Sequence, residues 1–175
     1  MTTITAPVLL ARPVARSPLR LALTPDGTRR RLDGAWWPHS RDLSVELPQL
    51  IEELDRRWGR ISRASIYDTA WAQRSHSIAT GSHDVRVNWY DPDQDPHAIA
   101  LFSYRIKRWQ LLVIPPETAS WRAGQLMTAA ARSRNQQSAR ALFAHGPLAP
   151  ALGTGPYGHV RIRTRHDRTP ATPAR

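Results

Sequence analysis

Two kinds of hydrophobic spacing alternate along the chain, and each change from one to the other marks an element. Leu19, Leu21 and Leu23 recur at every second position, which predicts a strand. Pro25-Asp26-Gly27 reads as a turn, and Arg31 to Trp37 as a returning strand. Pro38 restricts Trp37 to extended geometry, in keeping with that strand. Trp36 and Trp37 then face opposite ways, so one should anchor the sheet while the other lies under a helix or lines a groove. The spacing next widens. Leu43, Leu47, Leu50, Ile51, Leu54 and Trp58 fall at steps of three and four, which is one face of a helix. Ser40, Asp42 and Ser44 offer N-caps, and Gly59 stands where a left-handed C-terminal cap belongs. Pro48 fits only near a first turn, so the regular helix is expected to begin close to Glu46.

Further on, Ile61 to Trp71 reads as a half-buried strand. Ser77 to Tyr90 reads as a hairpin around Gly81-Ser82, with Val85, Val87 and Trp89 on one face. Ala98 to Tyr104 and Trp109 to Ile114 predict two more strands, joined by a basic turn at Arg105, Lys107 and Arg108. The second is nearly all apolar, as a central strand would be, and Pro115-Pro116 ends it. Thr118 or Ser120 should cap a helix running to about Arg132, and Gln136 to Ala144 can add a helical turn or two. The fold class is α+β: a mostly antiparallel sheet of about five to seven strands with two helices packed on one face. Residues 1–18, which contain three Pro and two Arg, and residues 146–175, rich in Gly, Pro and Arg, lack periodicity. They are read as a disordered arm and a flexible tail around a single domain at residues 19–145.

The block Leu32-Asp33-Gly34-Ala35-Trp36-Trp37-Pro38, with Ser40, Asp42 and Leu43 after it, is distinctive. Together with the Glu46-Leu47-Pro48 helix, the Trp71 strand and the Leu111 to Pro116 strand, it resembles an actinobacterial domain family of unknown function over roughly residues 19–144. The resemblance implies a small intracellular domain and brings no activity, cofactor or catalytic residue with it.

Charge changes this picture at the ends. The net charge is +11, and Lys107 is the only lysine among 25 basic residues. Residues 1–31 carry six Arg against one Asp, and residues 146–175 five Arg against one Asp, whereas residues 32–145 hold fourteen basic and twelve acidic groups. The basic excess is thus read as a property of the ends, suited to non-specific attraction of polyanions. The absence of cysteine excludes thiol nucleophiles, disulfides and thiolate metal sites. No apolar run reaches the roughly 20 residues of a membrane span, so a cytoplasmic protein without membrane contact is expected.

Several constellations fail on their own requirements. Gly153-Thr154-Gly155-Pro156-Tyr157-Gly158 matches G-x-G-x-x-G, but no buried strand precedes it and Pro156 breaks the turn. Asp91, Asp93 and Asp95 alternate like calcium ligands, yet Pro96 and Phe102 occupy the positions that need Gly and Glu. The seven His show no zinc spacing, and Asp68, His76 and Ser82 form a triad only by selection, without a nucleophile elbow. No catalytic residue, cofactor or metal is assigned. What remains is binding. Arg161, Arg163 and Arg165 would share one face of a C-terminal strand and could meet phosphates, with Tyr157 available to stack on a base. The chain is therefore expected to be a small non-catalytic binding protein whose basic tails attract nucleic acid or a ribonucleoprotein. The first alternative is a small-molecule binder or enzyme with a pocket between sheet and first helix near Asp33, Trp36 and Trp37. The second is a protein-interaction module working through an exposed Trp37 or Trp71.

Overall fold

The computed structural model describes residues 17–25, 30–67, 71–90, 95–104 and 107–146. In chain order these form β1 (Leu21–Leu23), β2 (Gly34–Trp36), α1 (Leu43–Trp58), β3 (Ile61–Tyr67), β4 (Ser77–Ala79), β5 (Asp84–Tyr90), β6 (Ala98–Ser103), β7 (Arg108–Val113), α2 (Ser120–Ala130) and α3 (Ala139–His145). The strands make one sheet in the order β1-β2-β7-β6-β3-β5-β4. It is mixed rather than mostly antiparallel, because β2 runs parallel to β7 and β3 parallel to β5. Three described helices replace the expected two.

The parallel pairs have a common cause. Each hairpin docks by its second, more apolar strand. β5 brings Val85, Val87 and Trp89 to the core face, whereas β4 brings only Ile78 and takes the sheet edge. At the other side β2 contributes Ala35 and Trp36 and docks on β7, leaving the half-buried Leu21 and Leu23 of β1 at the edge. Docking by the returning strand reverses the direction that a simple meander would give.

Helices also cover both faces instead of one. Leu43, Leu47, Leu50, Ile51 and Leu54 of α1 bury against Trp36, Ile66, Val87, Ile99, Leu101 and Leu111 on the first face. Ala123, Leu126, Ala129 and Ala130 of α2, with Ala139 and Leu142 of α3, bury against Ala35, Leu112 and Ile114 on the second. The unbroken run Leu111-Leu112-Val113-Ile114 serves both faces at once, as a strand covered on two sides must.

Helix α1 starts at Leu43, earlier than Pro48 suggested. Asp42 is its N-cap, Oδ1 accepting from the Ser44 N–H at 3.0 Å. Pro48 sits in the second turn, where it leaves the Ser44 carbonyl without an N–H partner. Ser44 is exposed, so water can satisfy that carbonyl. The buried Glu46 fixes the entry to the helix: it accepts from the His39 N–H at 3.1 Å and from the Ser40 hydroxyl at 2.8 Å. At the far end Gly59 takes φ +80° and donates to the Asp55 carbonyl at 3.0 Å. Helix α2 has no side-chain cap, since Ala119 rather than Thr118 or Ser120 holds the capping position. β3 ends at Tyr67, so Trp71 is not a strand residue. No described helix is long and apolar enough to cross a membrane.

Candidate functional site

Among the described residues, helices α2 and α3 lie over β2 and β7 and reach Ala98 of β6, and no helix lies over the rest of the second face. Along β3, β5, β6 and β7 the residues alternating with the buried Ala64, Ile66, Val85, Val87, Ile99, Leu101 and Trp109 turn toward that open face. The strand register then sets side chains side by side. Arg86 lies opposite Arg63, Arg63 opposite Phe102, and Phe102 opposite Arg108. This row crosses β5, β3, β6 and β7, about 14 Å at the usual strand spacing. The Arg63 guanidinium stands 4.4 Å from the Phe102 ring centroid and that of Arg108 stands 5.9 Å from it. At the same end of the sheet Arg60 lies 5.6 Å from the ring of Tyr104, which is 71% exposed, and Lys107 is exposed nearby. Among the described residues no carboxylate pairs with Arg63, Arg86 or Arg108, although the exposed Asp84 precedes Arg86 by two positions. Like charges facing each other across a strand pair repel, and an anion laid over them removes that cost.

The next row toward the middle of the sheet holds small residues. Asn88 is opposite Ser65, Ser65 opposite Ala100, and Ala100 opposite Gln110. They leave a shallow, solvent-open hollow of about 20 Å³, room for about one water, lined by Ser65, Tyr67, Asp95, Ala98, Ala100, Arg108 and Gln110. Ser65 is 1% exposed and its hydroxyl has no hydrogen-bond partner among the described residues.

A second, small concavity, about 30 Å³, opens where β2 and β7 end. Pro38, Trp71, Pro96, His97, Val113, Pro115 and Pro116 form most of its lining. Trp71 stacks on the fully buried Trp36, ring centroids 5.5 Å apart, and neither indole N–H has a partner among the described residues. His97 stacks on Phe143 at 4.0 Å. Burial holds its ring below the ordinary histidine range, opposed by the neighbouring Asp95 carboxylate and assisted by Arg140.

The four residues proposed for a pocket or contact surface are thus divided. Trp36 and Trp71 meet, with Trp71 on the cleft wall. Trp37 faces the other way and packs against the α2–α3 cluster, half-buried, with the Arg20 guanidinium 3.5 Å above its ring. Arg20 also donates to the Trp37 carbonyl at 2.9 Å and to the Pro38 carbonyl, and its own burial lowers its pKa. Asp33 sits at the opposite end of β2 and clamps strands. It accepts from the Gln110 N–H at 2.8 Å and from Arg30 Nε at 2.9 Å, while its own N–H donates to the Gln110 carbonyl. Arg161, Arg163 and Arg165 lie outside the described residues, as do Asp68 and Asp91 to Gln94.

Residue-by-residue tallies missed the Arg63–Arg86–Arg108 row, because its members lie far apart in sequence within a segment whose charges nearly balance. Strand alternation could have placed each on the polar face, but only register makes them neighbours. A further surface aromatic, Trp121 on α2, is 69% exposed and was also not singled out.

A family model described as a family of unknown function (DUF5994) matches residues 20–130, more than half of the chain. No curated protein and no solved structure matches it.

Proposed function

The chain belongs to this family of unknown function, and on that footing we propose that it is a non-catalytic nucleic-acid-binding protein whose open sheet face carries a single strand. The observation behind this is the Arg86–Arg63–Phe102–Arg108 row on an uncovered face, without carboxylate partners among the described residues. Its Arg side chains suit phosphates, and the Phe102 and Tyr104 rings suit bases, the combination that single-strand binders use. The basic ends, Arg161, Arg163 and Arg165 among them, add sequence-independent attraction.

The test is fluorescence-anisotropy titration of a labelled single-stranded octanucleotide with the full chain across a salt series. Replacing both Arg63 and Arg86 with Ala is expected to weaken binding about tenfold at low salt and to flatten the log–log salt slope by about 1.4 for two lost phosphate contacts. An unchanged slope would show that the row does not meet phosphates. A second reading, a small ligand bearing a hydrogen-bond acceptor at the Trp71 cleft, draws on the Trp71 indole N–H, which has no partner among the described residues. It would be revealed by a ligand-dependent rise in melting temperature that Trp71→Ala removes.

A further inference from the structure

The β4–β5 hairpin turns at Gly81 and Ser82, beside the C-terminal end of α1 and the start of β3. Ser82 is exposed there, and its Oγ lies 2.9 Å from His83 Nδ1. The His83 side chain is only 3% exposed and is held by its other nitrogen, Nε2, which stands 2.7 Å from the Ile61 carbonyl. A carbonyl oxygen only accepts, so Nε2 carries the ring proton, and Nδ1 of the neutral ring is an acceptor for the Ser82 hydroxyl. Asp55 Oδ2 lies 3.6 Å from the same Nδ1, while Asp55 Oδ1 accepts from the Ile61 N–H at 2.7 Å. The turn itself does not need the Ser82 hydroxyl. Thr80 closes it, its N–H and its Oγ1 donating to the His83 carbonyl at 2.8 and 2.6 Å.

We propose that Ser82 is an activated nucleophile with His83 as its general base, and that it is acylated by esters of good leaving groups. An exposed hydroxyl within hydrogen-bond reach of a base, the base in turn oriented by a third group, is the arrangement that nucleophilic serines share. Here the orienting group is the Ile61 carbonyl. In the step, Ser82 Oγ forms a bond to the acyl carbon, and the bond from that carbon to the leaving oxygen breaks. The Oγ proton passes to His83 Nδ1 and then to the departing oxygen, so the products are acyl-Ser82 and an alcohol. While the imidazolium exists, the Asp55 carboxylate faces it with the opposite charge. The base beside Ser82 is thus the next residue in the chain rather than His76. One acyl group is taken up per chain, so the reaction modifies the protein without turnover, and it does not depend on single-strand binding.

The experiment incubates the full chain with 4-nitrophenyl acetate and follows acetylation of each serine by peptide mass spectrometry. Ser82 is expected to be acetylated about a hundredfold faster than the exposed Ser120 and Ser133, the lower end of what a positioned base contributes. His83→Gln leaves an amide to bond the Ile61 carbonyl but no base, and should bring Ser82 down to the rate of those two serines. Asp55→Asn keeps an acceptor for the Ile61 N–H and removes only the charge that faces the imidazolium. It guards against a folding defect in the His83 variant and should slow Ser82 acetylation severalfold at an unchanged melting temperature. Equal rates at Ser82, Ser120 and Ser133 in the parent chain overturn the proposal. So does a fast Ser82 that keeps its rate in both variants, since its reactivity then owes nothing to His83 or Asp55.

Discussion

His97 sits where the second core meets the Trp71 cleft, and its environment makes it a pH-sensitive contact. Burial disfavours the charged ring more than the neighbouring Asp95 favours it, so its folded pKa lies below the ordinary 6.5. The unfolded chain therefore takes up a proton first as pH falls. Stability from the neutral, Phe143-stacked ring is present above about pH 6.5 and is lost as pH falls toward the lower folded value. The melting temperature should drop between about pH 7 and pH 5, and His97→Phe, which keeps a ring beside Phe143, should flatten that descent. An equal descent in the variant would assign the effect to other groups. At this scale the sequence was a fair guide to which residues matter and a poor one to what each does. Asp33 and Trp37 were legible as unusual residues beside a strand. That Asp33 spends its carboxylate on Gln110 and Arg30, and that Arg20 lies flat on Trp37, depends on partners from 3 to 77 positions away.

Among the elements, β1 and β2 approach one another more closely than a hairpin of ordinary residues allows. Gly34 takes φ +152°, and a Cβ there would stand 2.1 Å from the Ala22 carbonyl oxygen and 2.9 Å from the Leu23 Cα. Both obstacles are backbone and cannot rotate away. Gly34→Ala is expected to cost about 3 kcal/mol, read as a lower urea midpoint at unchanged slope. This assigns the glycine of the Leu-Asp-Gly-Ala-Trp-Trp-Pro block to close antiparallel pairing of β1 with β2. Periodicity found the first helix, both hairpins and the apolar central strand, because those signals are local. It misjudged the start of α1, since Asp42 and Glu46 together hold a first turn that tolerates Pro48 farther in. It also gave the sheet too many antiparallel neighbours, because which strand of a hairpin docks is decided by comparing the two apolar faces, not by reading either alone.

Across the whole molecule, charge is sorted by face. Glu46, Glu52, Glu53 and Asp55 lie on α1, where Glu53 pairs with both Arg56 and Arg57, while Arg63, Arg86 and Arg108 occupy the opposite, open side of the sheet. A near-balanced count of residues 32–145 conceals that separation, which is why the sequence directed attention to the ends. Removing residues 1–16 and 147–175 deletes seven Arg and should weaken oligonucleotide binding at low salt. Near 0.15 M salt the difference should narrow, since screening cuts long-range attraction first. Titration of the trimmed and full chains at two salt concentrations checks this. Loss of binding at both would move the interface to the ends.

The pairing of β2 with β7 has an outcome during synthesis. Trp36 is registered with Val113, so the strand carrying it has no inner neighbour until that much later residue has left the ribosome. Until then β2 can hold only its short hairpin partner, and Trp36 has no sheet floor beneath it. The nascent chain therefore carries Trp36 without its sheet neighbour while about 77 further residues are made. That is the interval in which a holding chaperone, or a slowed codon stretch after β7, would change the yield of folded protein most.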